Sequence, residues 1–340
     1  MINVVEVTDL NSSNIIDICI FLDRHKFDKN IVFISPVWIH RMKLYFYINF
    51  KYTLFYLNNE LIAIHLMFIS FKGYVRVSKC SPIFRFTLER ILSITHKRQW
   101  WKLPVLIKAD STNNTKINIE KILAKLLFKS DKITHSPVND GCLWECFPSK
   151  QYGTFLYDFY KKTYKNVHSD YHRSLKRCLK NFNNNLDLHC KKLNFNDTNM
   201  LDKYIKFVLA EQVNSNKKYP ISRKILLRER HLFESEKNIF EIFILHGKEN
   251  ILGSIRIYGT NNYVSESQAI TSILSVERKI NAQYIIKDSV IKFCFKENIR
   301  YYDLSGFNPS ERRSKKEEGI YRFKRQFGAK ELIYSTVSSL

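Results

Sequence analysis

Apolar positions in the second half of the chain change period several times, and each change marks an element. Residues 239–246, 251–258 and 263–270 are short, β-branched and aromatic-rich runs, which predicts three strands. The turn Gly247-Lys248-Glu249-Asn250 joins the first two as a hairpin. Before them, residues 186–191 read as a strand, and 200–213 and 221–233 as helices. After them, 276–296 reads as one helix with Ile280, Tyr284, Ile285, Ser289, Ile291 and Phe295 inward. An apolar run from Tyr301 gives a strand and 331–337 gives the last one. Upstream, 155–164 is predicted helical. So is 171–181, with Ser169-Asp170 as its cap and Tyr171, Leu175, Leu179 and Phe182 as its buried stripe.

The first half alternates helical and hairpin patterns. A strand at 4–7 precedes a helix capped by Asp9 or by Asn11-Ser12, with Ile15, Ile16, Ile18, Cys19 and Leu22 on its apolar face. Trp38, Met42 and Phe46 repeat every four residues after Ser35-Pro36, a helix-opening pair. Residues 52–57 and 61–71 flank Asn58-Asn59, a hairpin signal. Strands at 74–77 and 105–108 and helices at 87–95 and 117–128 complete the pattern. The class is α+β, and the boundary between two domains, 1–148 and 149–340, falls near Pro148.

Composition adds a partner class. The 340 residues are long for a single core, and 45% hydrophobic content with 14% aromatics excludes a disordered chain. The 55 Lys+Arg against 32 Asp+Glu give a net charge of +23, which points to a polyanion or an anionic surface, with a lysine-rich genome as the alternative source. Seven scattered cysteines without disulfide spacing, and no signal-peptide pattern, predict a reducing cytoplasm, with peripheral association at the inner membrane face the further option. Cys142 and Cys146 lie four apart without a second pair nearby, so no metal site is predicted.

Candidate chemistry concentrates near the C-terminus. Tyr301-Tyr302-Asp303-Leu304-Ser305-Gly306 ends a strand; seven charges fall between Glu311 and Glu318, a stretch that reads as a loop; then Phe323-Lys324 sits between Gly319 and Gly328. A lysine walled by aromatics could steady a developing oxyanion, whereas a lysine in a basic loop is the plainer reading. Asp303 could orient that lysine, cap the turn or accept a proton. Arg173, Lys176 and Arg177, with Lys180, line one basic helix and could contact phosphates or simply face solvent.

The order strand, two helices, three antiparallel strands, helix, strand, strand is similar to that of the GNAT acyltransferase fold, and the first half reads as a worn copy of it. Three motifs in the right order resemble the FemAB/FemX family of aminoacyl- and acyltransferases: Phe33-Ile34-Ser35-Pro36-Val37-Trp38; Ser169-Asp170-Tyr171-His172-Arg173-Ser174-Leu175-Lys176-Arg177; and Tyr302-Asp303-Leu304-x-Gly306 with Gly319-Ile320-x-x-Phe323-Lys324-x-x-Phe327-Gly328 after it. The resemblance implies tandem GNAT-like domains, each a mixed, mostly antiparallel sheet flanked by helices. It implies Lys324 as the catalytic lysine with Phe323 beside it and Asp303 third, and Arg173, Lys176, Arg177 and Tyr302 on the substrate side.

It further implies that no cofactor is bound, that aminoacyl-tRNA (or acyl-CoA) is the donor, and that a nucleotide- or lipid-linked envelope precursor such as a peptidoglycan muropeptide accepts through an amine. The long helical arm of some tRNA-dependent members is missing. A CoA-dependent GNAT enzyme carries a glycine-containing pyrophosphate loop where this chain has Ala269-Ile270-Thr271-Ser272-Ile273-Leu274-Ser275-Val276, without glycine. Two alternatives remain at this level: an amino-sugar N-acyltransferase of surface polysaccharide or lipopolysaccharide synthesis using acyl-CoA or acyl carrier protein, and a non-catalytic basic protein that binds nucleic acid or a membrane surface.

Overall fold

The computed structural model describes residues 2–24, 35–45, 48–71, 97–100, 105–107, 112, 114–115, 118–119, 122, 134–135, 149–185, 187–215 and 221–338. The chain divides into two compact units: Met1–Tyr152 with Tyr334–Leu340, and Gly153–Ile333.

In the first unit β1 (Ile2–Val7), β2 (Ile48–Leu57), β3 (Glu60–Phe71) and β4 (Lys97–Trp100) form an antiparallel sheet in that order, and β5 (Val105–Ile107) pairs with β3. The β2–β3 hairpin turns at Asn58 and Asn59, at φ 50° and 64°, a left-handed pair that asparagine tolerates. Helix α1 (Asn14–Arg24) buries Ile18, Phe21 and Leu22. Helix α2 (Pro36–Tyr45) starts where Ser35 Oγ accepts the Trp38 N–H at 3.3 Å. Of the helix predicted at 117–128, Ile119 is fully buried against Phe55, Ile62 and Ala63. The strand predicted at 74–77, the helix at 87–95 and the Cys142/Cys146 pair lie outside the described residues.

Beyond β6 (Thr134–His135), β7 (Ser149–Asp158) leads to α3 (Tyr164–Ser169), α4 (Arg173–Asn183), β8 (His189–Lys192), α5 (Thr198–Ser215), α6 (Arg223–Ser235), β9 (Ile239–His246), β10 (Ile251–Gly259) and β11 (Tyr263–Thr271). Then come α7 (Ile273–Glu277), α8 (Ala282–Lys296), β12 (Tyr301–Phe307), α9 (Lys315–Arg325) and β13 (Lys330–Ser338). The sheet order is β6-β13-β7-β12-β11-β10-β9-β8. Helix α8 lays Ile285, Ile286, Val290, Ile291 and Cys294 on Leu245, Ile255, Ile257 and Val264 of the sheet. Each such side chain contributes roughly 1.5–3 kcal/mol through burial.

Three sequence expectations change. The helix predicted at 155–164 is strand β7: Phe155, Leu156 and Tyr157 are all buried, so both faces are covered and no alternation shows. The helix predicted at 171–181 begins later, with His172 as its N-cap, and Thr163 and Asn166 form a capping box on α3. The single helix at 276–296 is split by Lys279, at φ 56°.

The pairing between β11 and β12 is short and opens the sheet. These strands run parallel, but only from Tyr263↔Tyr301 to Ser265↔Asp303. Beyond that β11 stays on β10 as far as Thr271, whereas β12 stays on β7 as far as Phe307. The two strands splay apart, and Gly153 holds the β12 side close. A Cβ on Gly153 would meet Phe307 ring atoms at 2.3–2.6 Å, and that ring is wedged against Phe155 and Tyr321. Gly153→Ala is therefore expected to destabilise the fold by about 1–3 kcal/mol, read as a lower urea midpoint at unchanged slope.

Candidate active site

The site grows from an irregularity in β12. Asp303 pairs with Leu156 and Gly306 with Thr154, so Leu304 and Ser305 face Phe155 alone: a β-bulge. Ser305 sits at φ 67°, a conformation a non-glycine residue adopts at a cost of roughly 1–3 kcal/mol. Asp303 holds it there. Its carboxylate accepts the Ser305 N–H at 2.7 Å, the Tyr263 hydroxyl at 2.7 Å and the Thr154 hydroxyl. Burial pushes the Asp303 carboxyl above its usual range, and these donors, with Lys324, draw it back.

The bulge turns two carbonyls to one side. Lys324 Nζ donates to Ser305 O at 2.9 Å and to Gly306 O at 2.8 Å. Lys324 stands in the last turn of α9, and only 7% of it is exposed. An ammonium has three N–H donors, and among the described residues these two carbonyls are its only hydrogen-bond partners. The structure thus holds a buried cation with one donor to spare. Burial lowers its pKa to about 8, Lys287 acts in the same direction, and Glu266 and Asp303 oppose them.

A second layer packs behind it. Glu266 on β11 accepts from Lys287 of α8 and from the Tyr302 hydroxyl, and all three residues are buried. Phe323 stacks on Tyr284 at 4.8 Å, meets Phe327 edge-on at 5.6 Å and lies 5.7 Å from Lys287 Nζ. The Tyr157 hydroxyl binds Phe327 O, and Gly328 comes next at φ 72°, close against Asp170.

Helix α9 departs from the expectation of a charged loop over Glu311 to Glu318. That stretch contains Ser314 and Glu317, which form a capping box and start the helix at Lys315. The Ser-x-x-Glu spacing is the sequence signal that places Phe323 and Lys324 on a helix.

The sequence-predicted residues separate into groups. Lys324, Asp303 and the Tyr302–Glu266 contact converge on the splay. Tyr302 has no exposed surface, so in the structure it supports Glu266. Phe323 covers Lys287. Arg173 and Arg177 are both exposed and, among the described residues, make no hydrogen bond or ion pair, whereas half-buried Lys176 donates to Ser169 O at 2.8 Å. Their helix is nonetheless fixed to the lysine helix: the His172 N–H donates to Gln326 O at 2.9 Å, and Ser174 Oγ to Gln326 Oε1 at 2.5 Å. Gln326 is two residues from Lys324. Sequence reasoning missed Thr154, Tyr263, Glu266 and Lys287. The available signal was a charge inside an otherwise apolar pattern: Glu266 in a strand, and Lys287 three residues after Tyr284 and four before Ile291 on the buried stripe of α8.

The antiparallel run β9-β10-β11, the splayed parallel strand β12 and the helices around them define a GNAT-like acyltransferase fold, and the chain carries it in tandem. It belongs to the FemAB family, whose model matches residues 161–333, so the chain is a transferase of an aminoacyl- and acyl-transferring family. Among solved structures it is similar to FemX at a TM-score of 0.62, with 9% identity over 97% of this chain and 96% of that one. A tandem GNAT protein from the clavulanic acid biosynthesis pathway gives 0.52, with 7% identity over 100% and 99% of the two chains. L-PGS from Bacillus licheniformis gives 0.51, with 12% identity over 95% and 90%. No curated protein matches the sequence.

Proposed function

We propose that the chain transfers an aminoacyl group from aminoacyl-tRNA to an amine of a cell-envelope precursor such as a peptidoglycan muropeptide, with Lys324 as the oxyanion-stabilising group. The observation that carries this reading is the buried ammonium with one unused donor beside the β11–β12 splay. In the reaction the acceptor's neutral nitrogen bonds to the ester carbon. The carbonyl electrons move onto oxygen, where Lys324 donates. The oxyanion then collapses, the C–O bond to the tRNA ribose breaks, and the proton lost by the amine ends on the ribose hydroxyl. Such a donor in a water-poor site typically supplies roughly 10²–10³ in rate. Arg173 and Arg177, outside any hydrogen bond or ion pair among the described residues, suit phosphates of the nucleotide- or lipid-linked acceptor or of tRNA. Residues 149–340 form the catalytic domain in this reading, with 1–148 contributing to the acceptor.

The end of β11 supports an ester donor over CoA. Where a pyrophosphate would need bare N–H groups, Ser272 Oγ already accepts the Ser275 N–H at 2.9 Å, and Glu211 accepts the Ile273 N–H at 3.4 Å. A carboxylate at this position repels a second anion. No helix among the described residues is long and apolar enough to cross a membrane. A charged-tRNA donor is met in the cytoplasm, and the basic charge suits peripheral contact with the inner membrane face.

The donor is tested by offering the protein a nucleotide-linked muropeptide with either charged tRNAs or acyl-CoA. Amide formation from the charged tRNA is expected; transfer from acyl-CoA alone would overturn the assignment. A pH prediction accompanies it. Lys324 must be cationic, and with a pKa of about 8 it is protonated about ten to one at pH 7. Single-turnover rates, corrected for ester hydrolysis and divided by the fraction of acceptor amine that is neutral at each pH, should fall above pH 8, approaching tenfold per unit. A corrected rate that does not fall by pH 9 would contradict the role.

A further inference from the structure

The start of α4 is clamped to the segment just after Lys324, and the clamp has two layers. The inner layer is packing. The Tyr171 ring meets the fully buried Phe327 ring edge-on at 5.8 Å, the Tyr171 hydroxyl donates to buried Asp288 at 3.1 Å, and Gly328 lies close against Asp170. The outer layer is polar and belongs to half-buried Gln326. Its carbonyl accepts the His172 N–H at 2.9 Å, and its Oε1 accepts the exposed Ser174 hydroxyl at 2.5 Å, with His172 Nδ1 2.8 Å from the same hydroxyl. His172 and Ser174 are the two chain neighbours of Arg173. The outer layer therefore grips the chain on both sides of an exposed arginine, from a residue two positions beyond Lys324. A bond between an exposed serine and a half-buried glutamine adds little to a joint that Tyr171 and Phe327 already pack. Its main consequence is geometric.

We infer that Gln326 and Ser174 are positioning residues: their bond holds Arg173 at a set offset from Lys324, so that a substrate phosphate seated on the guanidinium brings the reacting group to the ammonium. The inference rests on the reading of Lys324 as the oxyanion-stabilising cation and of Arg173 as a phosphate contact. An arginine suits this task because its planar fork binds phosphate in a defined orientation. That orientation is useful only if the backbone beneath the side chain is itself held, and a misplacement of reacting groups by a fraction of their contact distance lowers the rate. The phosphate comes from the acceptor or from the donor, and the substrates themselves tell the two apart.

A merely structural bond predicts the same loss on every substrate; a positioning bond predicts a loss that depends on the phosphate. Full-length Gln326→Ala, Ser174→Ala, the double variant and Ser174→Thr would be assayed with charged tRNA and a nucleotide-linked muropeptide. One substrate is then shortened at a time: the muropeptide freed of its nucleotide and phosphates, or aminoacyl-adenosine in place of charged tRNA. On the full pair each alanine variant should lower kcat/KM by about three- to tenfold, the double variant by no more than either, and Ser174→Thr, which keeps the hydroxyl, by less than about twofold. The loss should vanish with the shortened substrate that lacks the phosphate Arg173 holds, which names acceptor or donor as its source, and it should vanish in an Arg173→Ala background. If an alanine variant does not fold, Ser174→Val against Ser174→Thr, alike in shape, carries the same comparison. An equal loss on every substrate pair and in the Arg173→Ala background, or no loss on the full pair, would overturn the inference. The reading beneath it fails differently: wild-type protein transfers to no acceptor, or Lys324→Ala leaves transfer intact.

Discussion

Lys324→Ala is expected to lower kcat/KM for transfer by about 10²–10³ while leaving the melting temperature within a few degrees of wild type. The reason lies in what the side chain does and does not hold. Helix α9 is started by its own capping box at Ser314 and Glu317, and its far end is anchored by fully buried Phe327, whose carbonyl takes the Tyr157 hydroxyl. Neither depends on Lys324. The bulge is held by Asp303, and the Ser305 carbonyl also lies 3.0 Å from Thr154 Oγ1. Removing the ammonium ends the unfavourable burial of a charge and lets water reach the carbonyls, so stability changes little. The loss falls on the reaction. Lys324→Arg should rescue poorly, because a planar guanidinium fits neither the space nor the two convergent carbonyls. Kinetics beside a thermal melt of each variant check this, and an active alanine variant would remove Lys324 from the mechanism.

Asp303→Ala should cost on the order of 3 kcal/mol of stability and most of the activity as well. Its carboxylate collects the Ser305 N–H and the Tyr263 and Thr154 hydroxyls, and alanine leaves all three without that acceptor. Ser305 then loses the acceptor that holds its N–H in the left-handed conformation, the bulge relaxes, and the two carbonyls turn away from Lys324. Asp303→Asn keeps an oxygen for the Ser305 N–H and should lose less on both counts. Urea unfolding gives the stability term, and the ratio of activity lost to stability lost separates the two variants. Equal stability in wild type and Asp303→Ala would show that the bulge holds itself.

How far the sequence disclosed this arrangement varies by element. Strands β9, β10 and β11 were legible almost to the residue, because their apolar runs are short and bounded by Gly247 and by the polar Thr260-Asn261-Asn262 turn. Strand β7 was not, because burial on both faces removes the alternation that separates strand from helix. The Asp-Leu-Ser-Gly and Phe-Lys segments stood out as local strings, but their convergence did not. It depends on a two-against-one register between β12 and β7, which brings Thr154 within reach of a residue 149 positions away. The Glu266–Lys287 pair was equally hidden: its members stand 21 residues apart on a strand and a helix, and each alone looks like a misplaced charge.

Amide formation on a defined acceptor tests the central claim most directly. Wild-type and Lys324→Ala protein would be incubated with charged tRNA and a nucleotide-linked muropeptide, and the acceptor weighed by mass spectrometry. The account predicts a gain of one aminoacyl residue with the wild type and little or none with the variant. No gain with the wild type from aminoacyl-tRNA, acyl-CoA or acyl carrier protein, or equal gain with both proteins, would contradict it.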